Sequence, residues 1–157
     1  MNEHTQQTLL SAGVPYCKIK YSVEPDMEAL PLVTSAELAY QFLMEVWDHD
    51  NISYKEEFAV IMLNQAKKVL GWAKISSGGS TATIVDPSMI FQLALLAHAD
   101  SIILVHNHPS GTLQPSTADK NLTKRIRDAG KLLGIQVLDH LIITPTAFTS
   151  FANKGLL

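Results

Sequence analysis

The alternation of apolar and polar positions divides the chain into short strands and amphipathic helices. Residues 1–15 are polar and without period. Tyr16 to Val23 alternates as a strand, which Glu24-Pro25-Asp26 ends. Thr34 or Ser35 can cap a helix running to about Asp48, with Leu38, Phe42, Leu43, Val46 and Trp47 as its apolar stripe. Phe58–Leu63 and Val69–Ser76 read as paired strands across the polar turn Asn64–Lys68, and Ser77-Gly78-Gly79-Ser80 leads to a short strand over Thr81–Val85. Asp86 followed by Pro87 marks the N-cap and first turn of a helix that runs to His98. Ala99 to Val105 is an apolar run of the length of a buried strand. A last helix spans Thr117 to about Leu133, stopped by Gly134, and Ile135–Ile143 is strand-like, broken near Asp139-His140. These elements make one α/β domain of the α+β type, a mixed β-sheet flanked by helices. Residues 35–157 form the domain and residues 1–34 an N-terminal extension with a possible strand.

Composition narrows the classes. A chain of 157 residues with 46% apolar content can bury a sizeable core. The lone Cys17 allows no internal disulfide, and neither a signal-peptide pattern nor an apolar run of membrane-spanning length is present, which points to the cytoplasm. One cysteine also argues against a zinc nucleobase deaminase, which needs a Pro-Cys-x-x-Cys segment, and against a Cys-rich structural zinc module. Charge is uneven: residues 1–50 hold eight acids and two bases, residues 51–157 seven acids and ten bases. Lys120, Lys124, Arg127 and Lys131 recur at intervals of four, three and four, a stripe along one helix face that nucleic-acid phosphates or an acidic tail can meet. A solvated helix face is the simpler explanation, since no run of aromatics lies beside it to stack bases.

The chemistry concentrates at the end of the Ala99–Val105 strand. His106 and His108, two residues apart, point to one side of that strand, and Ser116 and Asp119 follow across a loop broken by Pro109, Gly111 and Pro115. Gly111 supplies a backbone conformation that residues with a Cβ avoid. Two imidazoles and one carboxylate leave a fourth position open on a metal such as zinc, the arrangement of a catalytic site. Each residue alone has an ordinary explanation: Ser116-x-x-Asp119 is close to a capping box, and histidines often sit hydrogen-bonded at strand ends. The joint spacing favours the metal. Asp139-His140, in an apolar run, needs partners for its polar groups, and a hydrogen-bonded core pair is favoured over a supporting role near the metal.

The stretch His106-Asn-His-Pro-Ser-Gly-Thr-Leu-Gln-Pro-Ser-Thr-Ala-Asp119, with Thr123 four residues later, resembles the RadC-type branch of the JAMM (MPN+) metalloproteases. Glu56 to Asn64, Gly78-Gly79, Asp86-Pro87, Leu138-Asp139-His140 and Ser150 to Leu156 fall where that branch places similar segments, so the resemblance covers about residues 35–157. It implies a JAMM/MPN, cytidine-deaminase-like architecture, with zinc held by His106, His108 and Asp119. Ser116 is then expected to stabilise the oxyanion and an upstream glutamate to act as general base on the attacking water. Alternation places Glu56 on a face with Phe58, Val60 and Met62, and Glu57 with Ala59 and Ile61; both faces are apolar, so hydrophobicity does not choose. The family's Glu-x-Phe pattern implies Glu56. Full-length bacterial RadC proteins usually carry a helix-hairpin-helix segment ahead of the domain, and nothing similar is read here, so a short form is expected. The family's Pro-Arg-Glu reads Pro87-Ser88-Met89 in this chain, which removes any substrate contact that Arg and Glu would make.

Two functions follow as expectations. One is a zinc-dependent metallohydrolase that cleaves a peptide or isopeptide bond in a protein substrate. The other is a DNA-associated protein of repair or mobile-element biology, contacting nucleic acid through Lys120, Lys124, Arg127 and Lys131, with a structural or regulatory metal. A binding module with a vestigial site is disfavoured, because all three ligands are present.

Overall fold

The structure, a computed structural model, describes residues 28–78 and 85–157. Among them, three helices, α1 (Ala36–Val46), α2 (Pro87–Leu96) and α3 (Thr117–Leu133), surround one sheet. Its strands are β1 (Glu57–Leu63), β2 (Val69–Ser77), β3 (Ser101–Asn107), β4 (Gln136–Ile143) and β5 (Phe148–Ser150), in the order β2-β1-β3-β4-β5. β1 is antiparallel to β2 and β3, β3 is parallel to β4 through the crossover helix α3, and β5 returns antiparallel to β4. This is the mixed, α+β arrangement expected from the sequence. The strand expected over Tyr16–Val23 and most of that over Thr81–Val85 lie outside the described residues.

β1 and β3 are buried along their whole length, because helices cover both faces of the sheet. Ala59, Ile61, Leu63, Ile103 and Val105 pack against Ala39, Leu43 and Trp47 of the α1 layer. Phe58, Val60, Met62, Ile102 and Leu104 pack against Ile90, Phe91 and Ala94 of α2 and Ile126 of α3. Period-two alternation thus sorts neighbouring residues into two separate cores. Leu43, wholly buried, would cost about 2–5 kcal/mol as alanine.

Local signals set the helix ends. Ser35 caps α1, its Oγ accepting from the Leu38 N–H, and Asp86 caps α2 ahead of Pro87. α3 begins after Ser116 and ends at Gly134, whose φ of 71° is the left-handed stop expected of glycine. Three details differ from the sequence reading. Leu38 is exposed, and Ala39 joins Leu43 of the expected stripe on the buried face of α1. α2 closes at Leu96, with His98 in a left-handed conformation (φ 56°) beyond it. β4 is continuous through Asp139-His140; the irregularity is a one-residue bulge at Leu138, because Ile102 pairs with Val137 and Ile103 with Asp139. No helix among the described residues is long and apolar enough to cross a membrane.

Candidate metal centre

Three elements converge at the C-terminal end of β3. That strand supplies His106 as its penultimate residue and leads into His108. α3 supplies Asp119 from its first turn. The start of β1 lies alongside, because the antiparallel register that pairs Phe58 with His106 brings Glu56 towards His108 two residues further on. Glu56 and His108 line one cleft of about 430 Å³, together with Tyr54, Pro109, Ser110 and Thr112.

His106, His108 and Asp119 are brought together as a group that could hold a metal ion, each offering one donor atom within 4.8 Å of the others. The two Nε2 atoms are 2.9 Å apart. Asp119 sets Oδ1 3.4 Å from Nε2 of His106 and Oδ2 3.9 Å from Nε2 of His108. Donors on a tetrahedral zinc, bound at about 2.0–2.2 Å, stand about 3.3–3.6 Å apart, a separation that the 3.4 Å pair matches and the 2.9 and 3.9 Å pairs bracket. The proton inventory agrees. Nδ1 of His108 faces the Thr112 carbonyl at 2.8 Å, and a carbonyl only accepts, so Nδ1 carries the proton and Nε2 presents a lone pair. A lone pair turned on a second ring nitrogen 2.9 Å away calls for a cation or proton between them. His106 is buried beneath, while His108 and Asp119 keep side-chain exposures of 13% and 16%, so the ligand set opens towards solvent on one side.

The helix start orients the carboxylate. The Ser116 N–H donates to Oδ2 of Asp119 at 2.7 Å and the Asp119 N–H donates to Oγ of Ser116 at 3.1 Å, a reciprocal capping box. The capping box of Ser116-x-x-Asp119 is therefore present, and it also fixes the carboxylate that Asp119 contributes to the His-His-Asp group. Ser116 is exposed and retains its hydroxyl hydrogen for a further acceptor. Burial, first, holds the His106 imidazole down to about 4 against the pull of Asp119, so it is neutral near neutral pH and able to ligate.

The two glutamates part company. Glu57 is buried on the α1 side, where its carboxylate meets Lys74 at 2.8 Å and Lys55 at 3.2 Å. Burial pushes its carboxyl up, yet bonds and charges from Lys74 and Lys55 together hold it below the ordinary glutamate value. Glu56 is half-buried on the cleft. The segment bearing it is fixed by Asn107, a residue that reading the sequence did not single out. Its Oδ1 accepts the Glu57 N–H at 2.8 Å, and its Nδ2 donates to the Ile52 and Lys55 carbonyls at 2.7 and 2.8 Å. The available signal was a polar residue placed by alternation on the apolar α1 face.

His140 also departs from the sequence reading. Its side chain does not pair with that of Asp139: its Nε2 lies 2.8 Å from Nδ1 of His106, and its Nδ1 lies 2.6 Å from Oγ1 of Thr123. Asp139 accepts instead from Ser150 Oγ and the Ala152 and His140 N–H groups. Lys120 and Lys124 are exposed, Arg127 is half-buried, and Lys131 pairs with Asp128 at 3.7 Å.

Residues 33–156 match the family model described as the RadC-like JAB domain. The chain belongs to that family. Among its relatives is a UPF0758 protein of Flavobacterium johnsoniae, 50% identical over 101 residues, which are 64% of this chain and 44% of the relative. A UPF0758 protein of Symbiobacterium thermophilum is 41% identical over 118 residues (75% and 49%), and one of Geotalea uraniireducens 40% over 131 (83% and 56%). The chain thus spans about half the length of the curated relatives it matches. Within it, the RadC-like JAB domain carries the ligand set, the capping box and both glutamates.

Proposed function

We propose that this RadC-like JAB domain is a zinc-dependent metallohydrolase that cleaves peptide or isopeptide bonds. One observation carries the reading: two imidazole nitrogens and a carboxylate converge on one point, and a half-buried glutamate shares the cleft beside them. His106, His108 and Asp119 would hold the ion, which when bound supplies Lewis acidity to a scissile carbonyl and acidity to a water.

The chain's own residues do the rest. Glu56 takes the proton of the attacking water and returns it to the departing amine, a role that needs a carboxylate at the cleft, which Glu56 lines with His108. Glu57, bound by Lys55 and Lys74, is not free for that exchange. The Ser116 hydroxyl, whose oxygen already accepts from the Asp119 N–H, directs its hydrogen at the oxyanion that develops on the carbonyl. Asp119 stays an oriented ligand, because the Ser116 N–H holds one of its oxygens.

The test is hydrolysis of a panel of fluorogenic peptides and isopeptide-linked conjugates by zinc-loaded protein. Glu56→Gln is expected to lower kcat by about 10²–10⁴ while zinc uptake is unchanged. Equal turnover by Glu56→Gln and wild type would contradict the assignment.

A further inference from the structure

Metal-ligating histidines usually hand their second ring N–H to a carboxylate or a backbone carbonyl, groups that can only accept. His106 instead faces another imidazole, His140, and an imidazole nitrogen can be donor or acceptor. Something further along must decide which. We propose that Thr123 and His140 are positioning residues that fix His106 in the tautomer whose Nε2 can ligate a metal; the inference rests on the metal reading above.

The chain of bonds ends on a group with no choice. Thr123 Oγ1 donates its single hydrogen to the Asp119 carbonyl at 2.6 Å, one helical turn back. Towards His140 it can then present only a lone pair, so Nδ1 of His140, 2.6 Å away, carries a proton. A neutral His140 has no second proton, which leaves its Nε2 bare. The bare nitrogen accepts from Nδ1 of His106 at 2.8 Å, and Nε2 of His106 is left with its lone pair directed at His108 and Asp119. In the opposite sense, with Thr123 donating to His140, the proton would end on Nε2 of His106 and block ligation.

The surroundings hold this relay still. His140 is wholly buried and Thr123 is 2% exposed, so water does not compete for either. The Phe151 ring stacks on His140 with centroids 4.6 Å apart, and Phe58 meets its edge at 5.6 Å. Apolar walls on both sides favour the neutral ring that the relay needs. Asp119 thereby serves the site twice, through its carboxylate as a ligand and through its carbonyl as the end of the relay.

The experiment combines nitrogen-15 NMR of labelled histidines in the zinc-loaded protein with zinc affinity measured by chelator competition. In unmutated protein, His140 is expected to be protonated at Nδ1 and bare at Nε2. Thr123→Val, which keeps the shape and removes the hydroxyl, is expected to weaken zinc binding roughly 10–100-fold. Thr123→Ser restores the hydroxyl and is expected to bind close to wild type. His140→Phe fills the same space between the two phenyl rings and is expected to lose affinity as Thr123→Val does. Melting of the metal-free variants separates this loss from misfolding, and the NMR reading needs no variant. Zinc bound equally by wild type and Thr123→Val, or a His140 protonated at Nε2, overturns the relay alone. Wild type that takes up no zinc overturns it together with the proposed function.

Discussion

The Asn107 side chain accepts the Glu57 backbone N–H at 2.8 Å, tying the residue between the two histidines of His-x-His to the strand that follows Glu56. Its amide also donates to the Lys55 carbonyl, so the backbone is held on both sides of the proposed base. One side chain thus ties the strand end that carries His106 to the backbone on either side of Glu56.

Asn107→Asp tests this coupling. The substitution keeps an oxygen for the Glu57 N–H but turns a second oxygen on the Ile52 and Lys55 carbonyls. Leaving such buried groups unpaired costs about 1–3 kcal/mol each. A lower melting temperature and a kcat reduced more than zinc affinity are expected. Zinc affinity lost in step with kcat would mean that Asn107 serves the ligands rather than Glu56.

Glu57→Gln separates the neighbouring glutamates. It leaves Lys74 and Lys55 without their buried carboxylate, and breaking a buried pair in this way costs about 3–5 kcal/mol where both partners are enclosed. Both lysines here are about one-third exposed, so a smaller loss of stability, seen in chemical denaturation, is expected with zinc uptake intact. Denaturation unchanged by Glu57→Gln would refute its structural role.

Much of this arrangement was legible in the sequence because its signals are local. The α3 boundaries follow from Ser116 and Gly134, and the shared direction of His106 and His108 follows from strand alternation. The α+β class follows from the periodicities. What escaped is long-range or short. β5 has three residues and exists only because β4 offers it an edge. His140 reaches His106 across a parallel pairing of strands separated by a whole helix, and no local pattern carries that contact. The break expected at Asp139-His140 was inferred from polarity alone; each side chain finds partners on its own side of β4, so the strand continues.

Acid should destabilise the metal-free protein in a defined window. Burial, first, holds His106 at about 4, and burial likewise pushes His140 well below the ordinary 6.5. With folded values below the unfolded one, the unfolded chain binds protons first as pH falls. The stability these groups contribute is therefore complete above about pH 6.5 and is lost as pH falls towards and through about 4. The denaturation midpoint of metal-free protein should fall steadily across that window. A midpoint that stays level there would show that neither imidazole is held neutral.

The most direct test of the metal centre is zinc content by elemental mass spectrometry, with wild type beside His108→Ala and Asp119→Ala. About one zinc per chain in wild type, lost in both variants, is the expected result for a three-ligand site. Wild-type protein that takes up no metal when zinc is supplied at neutral pH, or variants that retain it, would contradict the assignment.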